Sequence, residues 1–269
     1  MRFFQFIIFS IGLFITTGLF AMNHNNKVNA DFVQSQLFGL SNNKDNGAIM
    51  SPFMNSKAAV DFVANESQSG AWYDIEKSGQ GFLIQYLSKT SAQVIWFTFT
   101  PDGEQAWLLG VGDVQNNQIK ISNLARTYGA RFGSQFNPED VIKEPIGDLT
   151  ISFSGCNSGD AVFTSHKQSW PSEQLHLSRL TQIEGLSCDS SSKSQSYIGG
   201  GMTGAWYNPN RSGEGFIIQV ISPDYAVIYW FTYDTEGQQM WLGGVSKMVN
   251  NNLIIDPMIR PTGGVFGDD

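Results

Sequence analysis

Charge is what this sequence has least of. Asp, Glu, Lys and Arg supply 15% of its 269 residues, against roughly 25% in an average soluble chain. What charge there is leans acidic, with a formal net of -8. Surfaces that bind nucleic acid or anionic lipid need clustered Lys and Arg, and none cluster here, so no nucleic-acid partner is expected, and no membrane contact beyond an N-terminal apolar run. Histidine is scarce as well. His24, His166 and His176 are scattered, show no ligand spacing with the two cysteines, and exclude a metal site or a cofactor from the expectation.

Catalytic patterns are equally thin. A nucleophile needs a positioned base beside it, and neither His166 nor His176 sits in such a motif. Asp74 and Glu76 could form the carboxylate pair of a glycosidase, but the chain carries Asn208 and Asn210 at the corresponding places of the repeat described below. No catalytic residue is assigned, and the expectation is a protein that is not an enzyme.

Compartment is read from the first residues. Met1-Arg2, a nearly unbroken apolar run from Phe3 to Ala21 and the polar Asn23-His24-Asn25-Asn26-Lys27 form a signal-peptide pattern over residues 1–21. The alternative is an uncleaved anchor, because the run is about the roughly 20 residues that span a bilayer. Export to the periplasm or beyond is the favoured reading. Cys156 and Cys188 are then expected to pair, the alternative being two buried thiols. Closing their loop would stabilise the fold by about 3 to 4 kcal/mol in the chain-entropy model.

What the sequence does have is one stretch written twice. Gly70-Ala71-Trp72-Tyr73, Ser78-Gly79-Gln80-Gly81-Phe82 and Trp96-Phe97-Thr98 recur as Gly204-Ala205-Trp206-Tyr207, Ser212-Gly213-Glu214-Gly215-Phe216 and Trp230-Phe231-Thr232, an offset of 204 minus 70, or 134. From Gly70 to Val111, 21 of 42 positions are identical to their partners, and the register holds without a gap to Phe132-Gly133 and Phe266-Gly267. A repeat of this kind signals a duplicated structural unit.

The expected organisation is a signal peptide (1–21), an Asn- and Ser-rich irregular leader (22–68), a complete β unit (69–188), a Ser/Gly linker (189–201) and an incomplete second unit (202–269). Within the leader, Ser56 to Glu66 could form a short helix. From Gly70 the period is that of strands: Phe82, Ile84 and Tyr86 alternate with Leu83, Gln85 and Leu87, and Val94, Trp96 and Thr98 with Ile95, Phe97 and Phe99. Pro101-Asp102-Gly103 and Thr235-Glu236-Gly237 read as turns. About nine short strands are expected in the first unit, one of them over Ala130 to Phe136. The predicted class is all-β, an antiparallel up-and-down meander closed as a barrel or barrel-like sandwich, because closure removes exposed edges.

The second unit lacks equivalents of Phe136 to Cys188. Two explanations stand side by side: a shortened form of a longer protein, or a half-unit that packs on the first unit or on a second chain, with self-association as the consequence. Both faces of several strands are apolar. Either the inner face is core while the outer face packs on the neighbouring unit, or the outer aromatics bind a ligand. Candidate ligand-binding residues are the repeated aromatic and polar positions Trp72, Gln85, Trp96, Thr98, Gln105 and Trp107, suited to a small molecule or glycan. Ser78-Gly79-Gln80-Gly81 has the small residues of an anion nest but reads as a strand-connecting turn.

At these residues the chain resembles a group of uncharacterised exported bacterial proteins whose repeats read G-x-W-Y-(D/N)-P-x-R-S-G-x-G-F, then W-F-T-Y-x-x-x-G-x-x-x-W-L. Gly204 to Leu242 follows the pattern with Pro209, Arg211 and Tyr233 in place, whereas the first unit departs from it at Ile75, Lys77 and Phe99. The group's later pattern, F-x-x-C-(N)-x-(G) and L-x-R-L-x-x-x-x-G-x-x-C, is similar to Phe153–Gly159 and Leu177–Cys188. That resemblance implies a Cys156–Cys188 disulfide and no established activity. The opening G-x-W-Y also resembles calycin-like barrels, avidins among them, which implies a Trp across a closed barrel end, Trp72 here and Trp206 in the second unit.

Overall fold

The computed structural model describes residues 62–188, 201–250 and 252–267. The signal-peptide run, the leader to residue 61 and linker residues 189–200 lie outside them, as does most of the helix expected over Ser56–Glu66. At its described end residues 62–65 are irregular, and a single 3-10 turn, Glu66–Gln68, is capped by the Asn65 side chain.

Eight strands close a barrel: β1 (Gly70–Asp74), β2 (Gly81–Ser88), β3 (Ser91–Phe99), β4 (Gln105–Gln115), β5 (Gln118–Tyr128), β6 (Ile142–Phe153), β7 (Ser158–Ser165) and β8 (Glu173–Arg179). Each strand pairs antiparallel with the next, and β8 returns to β1 with Trp72 opposite Arg179. Five more strands, β9 (Gly204–Trp206), β10 (Gly215–Ser222), β11 (Tyr225–Tyr233), β12 (Gln239–Val249) and β13 (Asn252–Ile255), form an open antiparallel sheet in that order. The described residues contain no α-helix. The all-β meander expected from the alternation is therefore the fold, and the turn glycines sit where they must. Gly103 and Gly237 adopt φ of 86° and 82°, a region that side chains with a Cβ disfavour.

The barrel has eight strands where nine were expected. Ala130–Phe136 alternates like a strand, yet it leaves the barrel and makes a 3-10 turn at Gly133–Gln135. Its backbone bonds go across to the second sheet instead, Gly129 N–H to Gly237 O and Phe132 N–H to Asp234 O. Its apolar residues are used there: Ala130 and Phe136 join the core between the two sheets, and Phe132 packs on Trp230.

The double-sided hydrophobicity of β1 to β4 follows from two separate cores. Inside the barrel lie Trp72, Phe82, Ile84, Val94, Trp96 and Leu108. On its outer face Leu83, Ile95, Phe97, Phe99 and Trp107 pack against Ile217, Tyr229, Phe231, Tyr233 and Trp241 of the second sheet. Strand alternation sends neighbouring residues to opposite cores, so both kinds of position must be apolar. This seam is nearly two-fold. Gln105 Nε2 donates to Trp241 O at 2.9 Å, and Gln239 Nε2 donates to Trp107 O at 2.7 Å. Phe97 meets Trp241 at 5.2 Å between ring centroids, and Phe231 meets Trp107 at 5.6 Å. Each contact is the other with 134 added to one residue and subtracted from its partner.

One end of the barrel is tied shut. Cys156 and Cys188 form the disulfide, with Cα atoms 5.7 Å apart. Beside it the Arg179 guanidinium donates to the carbonyls of Ser67, Ser69, Thr181 and Cys156 and lies over the Trp72 ring. Burial pushes the Arg179 guanidinium down to about 10, still charged at neutral pH. Carbonyl dipoles, four in number, take the place a carboxylate would otherwise fill.

Candidate functional site

The barrel interior is filled rather than hollow. Trp72, Phe82 and Trp96 are 1% exposed or less. Phe82 stacks on Trp96 at 5.0 Å, and Phe266 enters from the far end of the chain to meet Trp96 at 5.0 Å, Trp170 at 4.8 Å and Phe163 at 5.9 Å. The Trp72 indole N–H donates to Gln68 O. Both Trp72 and Trp96 are thus placed in packed core.

Space opens instead on the seam. A cavity of about 190 Å³ lies between the outer face of the barrel, at Ile95, Trp107 and Leu109, and the second sheet, at Tyr207, Ile217 and Phe231. Gln93, Thr127 and Glu214 supply its polar rim. The two-fold relation explains why it exists on this side. Ile95 corresponds to Tyr229 (95 plus 134), whose ring lies 5.0 Å from Phe97 and is completely buried. On the cavity side the smaller Ile95 leaves that volume empty.

The Trp107 ring that lines the cavity also carries an unused donor. Trp241 Nε1 donates to Thr98 O at 3.2 Å, but its counterpart Trp107 Nε1 is buried with no acceptor. A buried indole N–H without a partner is uncommon and costs about 1 to 3 kcal/mol. Glu214 at the rim is already engaged, accepting from Thr232 Oγ1 and Arg211 Nε. Tyr233 stands next to Trp107, bonded to Thr127 Oγ1 and Gly213 O, and burial raises its phenol to about 12.

Of the six candidate residues, the structure brings Trp107 alone to this cavity. Thr98 donates to Gln80 Oε1 at 2.7 Å inside the barrel. Gln105 holds the seam and accepts from Arg260 Nε at 2.8 Å. Gln85 is half-buried beside Gly204, its Oε1 unpartnered. Ile95, Leu109 and Ile217 escaped notice as ordinary strand aliphatics. Their signal was a break in the repeat, Ile95 against Tyr229 and Leu109 against Gly243.

Compared with protein-family models, with curated proteins and with solved structures, the chain matches none. Among the described residues, the histidines are paired at the surface. His166 pairs with Asp148 at 3.1 Å and His176 with Asp160 at 2.7 Å, both on the exposed barrel surface. Among the described residues no three His, Cys, Asp or Glu side chains converge as a metal site would require.

Proposed function

We propose that this chain is an exported, non-enzymatic binding protein, built from a repeated β unit, that receives one ring of a small molecule or glycan in the seam cavity. The observation that carries the reading is the apolar seam cavity, one wall of which is the Trp107 ring with its buried, unpartnered Nε1. A void of about 150 Å³ accommodates benzene in a protein interior, so about 190 Å³ suits a single six-membered ring carrying one acceptor. Aromatic walls supply affinity by area and stacking, and the lone N–H orients the acceptor.

Tryptophan fluorescence titrated with small phenolic, heteroaromatic and saccharide panels tests this. Saturable quenching by at least one class is expected, weakened about tenfold or more in Trp107→Phe, which keeps the ring and removes the donor. Ile95→Tyr, which copies the filled side of the seam, should abolish it while leaving the fold intact. No saturable change in any panel overturns the reading. A second reading, a module whose surfaces serve assembly, is favoured by one observation, the exposure of Trp206 and Phe216 on the second sheet.

A further inference from the structure

Among the described residues, the inner face of the open sheet is a barrel wall without the three strands that stand opposite it in the barrel. β10, β11 and β12 occupy the positions of β2, β3 and β4 with 134 added at both ends of each strand. The wall is also organised like its counterpart. Phe216 stacks on Trp230 at 5.4 Å as Phe82 does on Trp96, and Trp206 Nε1 donates to Met202 O at 2.9 Å as Trp72 donates to Gln68. Even the inserted phenylalanine is present, since Phe132 packs on Trp230 at 5.4 Å as Phe266 packs on Trp96. Cover differs toward the β9 edge, while Val220, Ala226 and Ile228 on the same face are buried at 0%, 0% and 4% exposure. Trp72 and Phe82 are 0% and 1% exposed, whereas Trp206 and Phe216 are 52% and 39% exposed.

In the barrel that cover is β6, β7 and β8. β6 pairs along β5, β8 pairs along β1, and Leu149, Ile151, Phe163, Leu175 and Leu177 fill the space between. Among the described residues, the equivalent edges of the second sheet, β13 and β9, have no strand beside them in the sheet order. An antiparallel sheet of five strands has its outer two running the same way, so antiparallel closure needs an odd number of added strands, three in the barrel.

We propose that the inner face of β9–β13 is a docking site for a three-stranded antiparallel β meander of the β6–β8 kind, which closes a second barrel by adding strands at both edges. The chemistry of the occupant is set by the barrel. Its first strand lies along β13, and its middle strand and the loop after it bring aromatic rings to Phe132, as Phe163 and Trp170 do to Phe266. Its last strand lies along β9 and sets an Arg over Trp206, as Arg179 lies over Trp72. The carbonyls of Gly201 and Thr203, 134 beyond Ser67 and Ser69, would accept from that Arg.

The chain contains its own probe, because residues 137–188 carry β6–β8 and the disulfide. Full-length protein titrated with that oxidised peptide, and followed by amide hydrogen exchange, should gain protection in β9 and β13 with no change in β1 and β5. Arg179→Ala in the peptide should weaken binding about tenfold. Trp230→Ser in the protein should abolish it. Phe132→Ser, outside the second sheet, should weaken it in the same direction should Trp230→Ser disturb the sheet itself. Three results overturn the proposal: no added protection, β9 and β13 protected already in the isolated monomer, or protection that tracks dimerisation of the chain.

Discussion

The closed barrel and the open sheet start from nearly the same residues and reach different states of burial. Trp96 and Trp230, Phe82 and Phe216, and Trp72 and Trp206 make matching local contacts in both. Local contacts therefore form from the first five strands alone, and exclusion of water is added by the last three. The open sheet is nevertheless held, because its outer face is buried against the barrel through Tyr229, Phe231, Tyr233 and Trp241. A half-barrel of this size is marginal alone. Here the seam supplies the second layer that a sheet needs.

The sharpest way to break the comparison is to remove the two inserted phenylalanines separately. Phe266→Ala empties the middle of a closed core and should cost about 3 to 5 kcal/mol by urea unfolding. Phe132→Ala acts at a 38% exposed ring on the open wall and should cost about 1 kcal/mol or less. Equal losses would mean that the open face is covered in solution. Next comes the seam. Gln105→Ala and Gln239→Ala each strand a buried carbonyl and should cost about 1 to 3 kcal/mol. The double variant should cost less or more than the sum by at least about 0.5 kcal/mol, because both sit in one network. Strict additivity would separate the two halves of the seam.

The smallest effect belongs to the barrel surface alone. A hydrogen bond that His176 Nδ1 donates to Asp160, followed by the charge of Asp160, raises the His176 pKa above 6.5. A raised folded value means that the pair contributes its full stability below 6.5, the unfolded value, and loses it as pH rises through the folded value. A proton NMR titration should place His176 above 6.5 and return it toward 6.5 in Asp160→Asn. The side chains are too exposed for the urea midpoint to move much.

Much of the fold was legible because strands write their faces in alternate residues. β2, β3 and β4 fall where Phe82, Ile84, Trp96 and Trp107 place them, and Gly103 and Gly237 mark their turns. The Cys156–Cys188 pair stands as expected. Ala130–Phe136 misled for a physical reason: its alternation serves packing against another sheet, and periodicity does not say which sheet. The repeated glutamines were visible as unusual polar residues on apolar strands, but that Gln105 and Gln239 grip each other's strands depends on a seam no local pattern encodes. Arg179 stood in plain view within L-x-R-L, with nothing to announce that carbonyls rather than carboxylates would surround it. The cavity was the least legible, since it exists by omission: a position that holds Tyr229 on one side holds Ile95 on the other.

The insertion of Phe266 into the barrel sets a schedule for biosynthesis. The ribosome makes Trp96 and then 170 more residues, 266 minus 96, before it makes the ring that rests against it. At about 5 to 20 residues per second that interval is roughly 8 to 34 seconds. The last barrel strand ends at Arg179, so the ring that fills the space beside Trp96, Phe163 and Trp170 follows the whole barrel in sequence. The core of the barrel is thus completed by a residue that follows the second sheet in sequence.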